Sequence, residues 1–174
     1  VAWENTIGEN QNITARRLRL DGDVVTGSLA VENNLFHQAY PTVAYNPDSA
    51  RYVVTWQDNR GSIYGAPVNE DVNVLLASPL PLFDTSSSCE QPAMVYHMTP
   101  GGGEFYVGAS CSVDDTTAVY GHRLNAEGAP IGADFVISND SERGNQYHLV
   151  MASEVTEGYI LASWADLRYR DQSI

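Results

Sequence analysis

The feature that most restricts this chain is its internal repetition. Three segments recur at a spacing of about 54 residues: RYVVTWQDNR at 51–60, FYVGASCSVDD at 105–115 and GYILASWADLR at 158–168. The opening VAWENT matches the last part of the same run. Each copy is preceded by another apolar segment and a turn, PTVAYNPDSA at 41–50, PAMVYHMTPGGG at 92–103 and HLVMASEVTEG at 148–158. Asn-Pro-Asp and Gly-rich tips reverse a chain, so these pairs predict β-hairpins. A third strand is expected in ITARRLRLDGD, IYGAPVNEDVN and VYGHRLNAEG, with a truncated copy at Ile174. Its side chains alternate, Val119, Gly121 and Arg123 against Tyr120, His122 and Leu124, the period of a strand with one buried face. A fourth strand follows at GSLAVEN, SPLPLFD and GADFVISN.

Small sheets of this kind bury their faces only by stacking on one another, and a sandwich or barrel needs no such period. The expected fold is therefore all-β, a β-propeller with three four-stranded blade repeats in one domain spanning 1–174. Propellers close with about four to eight blades, so three leave the ring open. Trp3 to Ile13 and Trp164 to Ile174 occupy the same repeat positions. This leaves two routes to closure. In a head-to-tail homodimer, strands near 148–165 would meet strands near 12–32 of a second copy, giving about six blades; otherwise the chain is part of a longer one.

The Pro-led strand, the strand ending Trp-x-Asp-x-Arg and the Ile-Tyr-Gly that follows resemble the propeller-type repeats of bacterial extracellular and surface proteins, over nearly the whole chain. The resemblance implies a secreted or cell-surface location. It leaves activity open, since propellers host hydrolases, lectins and scaffolds. The Ser-x-Asp-x-Gly-x-Thr-Trp box of sialidases is absent, as is the Gly-His and Trp-Asp pairing of the common intracellular repeat.

Charge narrows the partners. Asp and Glu number 22 against 9 Lys and Arg, and a net charge of −13 repels phosphate backbones and anionic membrane surfaces, so neither is expected to bind. The greasiest stretch, VNVLLASPLPLF at 72–83, is broken by Pro79 and Pro81, and no membrane-crossing segment is expected. VAWENT carries no leader pattern and reads as a mature, trimmed or excised sequence.

Candidate chemistry concentrates in Trp56, Asp58 and Arg60, repeated as Trp164, Asp166 and Arg168. An aromatic face beside a carboxylate and a guanidinium suits sugar recognition: the ring covers a C–H face and the charges fix hydroxyls. The same residues suit packing better still, with the ring between repeats and the Asp–Arg pair tying down the turn. The second copy carries Cys111 in the Trp position, and the first has Trp3, Glu4 and Asn5. Cys89 and Cys111 flank the turn at 98–103, where antiparallel pairing brings them together as a disulfide; a register slip would leave two free buried thiols. Acidic turns at 21–23, 69–73, 114–115 and 139–142 could ligate Ca²⁺ or be plain solvated turns, and none has an EF-hand pattern. His37, His97, His122 and His148 have no zinc spacing. Asn12-Ile-Thr14 and Asn139-Asp-Ser141 fit the glycosylation triplet. No nucleophile elbow or phosphate loop is present. The expectation is a non-enzymatic extracellular binding or scaffold module, lectin-like or protein-binding, without a required cofactor. The rival is a propeller-fold glycoside hydrolase with carboxylates converging from different blades.

Overall fold

The computed structural model describes every residue except 8–9, 84–87, 99–101, 114–115, 139–144, 155, 157 and 168–174. Arg168, Ile174, Asn139–Ser141 and the acidic stretches at 114–115 and 139–142 therefore lie outside the described residues. Those described form strands and turns, with no helix among them.

Among the described residues, thirteen strands make four antiparallel sheets in chain order. The first sheet holds β1 (Ala2–Ile7), β2 (Asn10–Ala15) and β3 (Leu29–Glu32). The second holds β4 (Gln38–Asn46), β5 (Arg51–Asp58), β6 (Ser62–Asn69) and β7 (Leu80–Pro81). The third holds β8 (Ser88–His97), β9 (Glu104–Val113), β10 (Thr116–Leu124) and β11 (Pro130–Val136). The fourth holds β12 (Gln146–Ser153) and β13 (Ile160–Asp166). Within each sheet, neighbours in sequence are neighbours in space. The all-β expectation holds; among the described residues two sheets have the expected four strands, while the first has three and the fourth two. β7 is shorter than SPLPLFD suggested, because Pro79 and Pro81 have no N–H to give to a ladder.

Each sheet packs on the next, and β5 shows how. Its Val53, Val54, Thr55 and Trp56 are all buried, although successive side chains point to opposite faces. Val54 and Trp56 join Ile13, Ala15 and Val31 of the first sheet in one cluster. Val53 joins Phe105, Val107, Ala109 and Met94 of the third sheet in the other. A strand covered on both faces reads as a continuous apolar run, which is what the sequence shows here. In β13 the residue corresponding to Val53 is Leu161, 72% exposed against 0%. The third and fourth sheets approach closely at Gly108, where a Cβ would lie 2.3 Å from Leu149 Cδ2.

The register corrects one alignment made from sequence. Tyr64 of Ile63-Tyr64-Gly65 lies opposite Trp56, while Tyr120 of Val119-Tyr120-Gly121 lies opposite Ala109. Ala109, not Cys111, therefore holds the Trp position of its sheet. Cys111 takes the place of Asp58, and Cys89 the place of Gln38, since the pairs across the first two strands are Gln38 with Asp58, Cys89 with Cys111, and Gln146 with Asp166. A slip of two residues leaves every side chain on its own face, so alternation alone does not reveal it.

Candidate functional site: a cleft at three strand bulges

The first strand of each of the last three sheets carries a bulge. Register shifts fall between Ala39 and Thr42, between Glu90 and Ala93, and between Tyr147 and Val150. At each, one non-glycine residue is left-handed: Tyr40 (φ 52°), Gln91 (φ 52°) and His148 (φ 57°). An extra residue re-aims the side chains beside it, and left-handed backbone persists in non-glycine residues only where the surroundings enforce it. The three bulges converge. Tyr40, Pro41, Gln91, Pro92, His148, Leu149 and Val150 line a single open cleft of about 440 Å³.

Two side chains enforce the strained backbone from the preceding sheet. Glu4 Oε1 accepts a hydrogen bond from the Tyr40 N–H at 2.8 Å, and Gln57 Oε1 accepts one from the Gln91 N–H at 3.2 Å. Glu4 follows Trp3 and Gln57 follows Trp56, so the same repeat position does this twice. In the third sheet the position belongs to Ser110, whose buried Oγ has no hydrogen-bond partner. Sequence reading missed these residues. The recurrence of Trp-Glu and Trp-Gln at 3–4 and 56–57 was the available signal.

Of the candidate ligand residues Trp56, Asp58, Arg60, Trp164 and Asp166, none lines this cleft. Trp56 is completely buried between the first two sheets and presents no ring face to solvent. Asp58, also buried, accepts from Arg60 Nε and NH2 at 2.7 Å each and from the Arg60 N–H at 3.0 Å, which closes the β5–β6 turn. The Arg60 guanidinium stacks 3.8 Å from the Tyr64 ring centroid and 4.6 Å from that of Phe36. Its side-chain hydrogen bonds to the Asp58 carboxylate push the Arg60 pKa above the usual arginine value. Trp164 is half-buried, and Asp166 accepts from Gln146 Nε2 at 3.3 Å. For Trp56, Asp58 and Arg60 the geometry is that of packing and turn closure.

Cys89 and Cys111 form the expected disulfide across directly paired positions, with Cα atoms 4.0 Å apart. Asn12 of the glycosylation triplet is buried in β2. His97 Nδ1 lies 2.8 Å from Ser153 Oγ, and His122 Nδ1 lies 2.6 Å from Asp134 Oδ1. These pairs share no histidine, so they do not add up to a nucleophile, base and orienting acid. Among the described residues no three His, Cys, Asp or Glu side chains converge on a metal position, and no helix is long and apolar enough to cross a membrane. No protein-family model matches the chain, and no curated protein or solved structure matches it either.

Proposed function

We propose that this chain is a non-enzymatic extracellular binding module, built as part of a β-propeller, that takes a carbohydrate ligand in the cleft at the three bulges. The observation that carries the reading is the convergence of Tyr40, Gln91 and His148 from three successive sheets on one cleft. Tyr40, 52% exposed, offers a ring for a sugar C–H face, while the Gln91 amide and the His148 imidazole offer hydrogen bonds to hydroxyls. Gln91 Oε1 is buried without a hydrogen-bond partner, and a turn of the amide into the cleft would let a ligand hydroxyl supply one. Glycoside hydrolysis runs on a pair of carboxylates, and the cleft lining of Tyr, Pro, Gln, His, Leu and Val fits recognition better.

The propeller reading draws support from four successive sheets whose strands run in chain order, each packed on the next, with the equivalent strands β4, β8 and β12 side by side. The exposed outer face of β13 is the face that the corresponding strands of other sheets bury, and a second copy or further sequence of a longer chain would cover it. The disulfide accords with an oxidising, extracellular compartment.

A glycan array with the chain and its Tyr40→Ala and Gln91→Ala variants tests the function. Binding without turnover, reduced about tenfold or more in both variants, is expected. Cleavage of a bound glycan would favour a hydrolase, and binding that ignores both substitutions would remove the cleft from the account.

A further inference from the structure

A second cavity, sharing no lining residue with the bulge cleft, lies between the first two sheets at the segment after β2. Its floor is apolar: Val54, Val68 and Val72 are almost fully buried around about 270 Å³ of space. Its rim is cationic. Arg16, Arg17 and Arg19 all line it, so three of the nine basic residues of a chain with net charge −13 stand within four positions.

The charges on this rim are not all spent within the protein. Arg17 pairs with Glu70 at 3.3 Å. Asp21 engages the backbone of its own turn, its Oδ1 accepting from the Asp23 N–H at 3.0 Å. Arg16 donates through NH2 to Ser28 and lies 5.9 Å from the Trp3 ring centroid, yet its Nε is buried with no hydrogen-bond partner. Arg19 is exposed, and among the described residues neither Arg16 nor Arg19 forms an ion pair. A buried N–H without an acceptor is costly and is satisfied when a ligand brings one. Val72 adds a separate mark, because a β-branched residue at φ 64° on the cavity wall is a strained conformation of the sort that clusters at binding sites.

We propose that this cavity binds a small amphiphilic anion, a medium-length acyl or aryl carboxylate, with the apolar part on the valine floor and the carboxylate between Arg16 and Arg19. A charge-assisted bond from guanidinium to carboxylate gives the head specificity, and a cavity at the small end of ligand pockets limits the tail. The site is independent of the carbohydrate reading.

Isothermal titration with sodium octanoate, 1-octanol and octyltrimethylammonium tests it. The expected result is saturable octanoate binding at one site per chain, octanol at least about tenfold weaker, and no binding of the ammonium salt. Arg16→Gln and Arg19→Gln should each weaken octanoate by about tenfold. Arg19 is exposed, so its variant keeps the fold and reads binding alone. Arg123→Gln, the same charge change at the third sheet, should leave the affinity within about twofold. Absence of saturable octanoate binding overturns the proposal, as does equal affinity for octanol. So would an affinity untouched by Arg16→Gln and Arg19→Gln, or one lowered as much by Arg123→Gln.

Discussion

Asp58 carries three hydrogen bonds from one neighbour while almost entirely out of water. Removing it leaves Arg60, about 29% exposed, without its carboxylate partner and stacked on the faces of Tyr64 and Phe36. Asp58→Ala should lower unfolding stability by about 1.5–3 kcal/mol, the range for hydrogen bonds to charged groups, and urea titration measures it. Asp58→Asn keeps an acceptor for the turn N–H and should lose roughly half as much. The Asp58–Arg60 pairing was legible in the sequence because the two residues are neighbours in one turn. The packing of Trp56 between repeats was one of two readings the sequence left open, and the choice depended on side chains of the first sheet more than forty positions away, such as Ile13.

Between strands, the disulfide and one ion pair show two kinds of cross-link. Cys89 and Cys111 enclose a chain segment of 22 residues in sequence separation. Reducing the bond should cost roughly 3 kcal/mol by the loop-entropy relation, read as a lower urea midpoint in the presence of reductant. Arg123 holds Glu104 by two hydrogen bonds at 2.8 and 2.7 Å, and these keep the Glu104 carboxyl below its ordinary pKa. A depressed carboxyl pKa stabilises the fold above the unfolded value, about 4.3 for Glu, and the contribution fades as pH falls through the lower folded value. Glu104→Gln should therefore flatten the acid limb of stability against pH while changing neutral stability little, since Arg123 is exposed and salt screens the pair. At Gly108, substitution by Ala drives a methyl into Leu149. The expected destabilisation is about 1–3 kcal/mol, measured by the same titration.

Across the molecule, sheets two and three are covered on both faces and sheet four on one, as Val53 and Leu161 show. If a second copy supplies the cover, light scattering in dilute solution should give about twice 19.0 kDa. A stable compact species at 19.0 kDa would rule out closure between copies.

Strand order, hairpins and the repeat were determined by the sequence alone, because alternation and turn chemistry act over a few residues and the repeat multiplies the signal; the cysteine pairing was one of two readings there, and the β8–β9 register decided it. Tertiary structure decided the rest. It set Ala109 opposite Tyr120 where the sequence suggested Cys111, since a two-residue slip preserves the alternation that sequence reading relies on. It also brought Tyr40, Gln91 and His148 to one cleft, because residues some fifty positions apart meet only when their sheets stack.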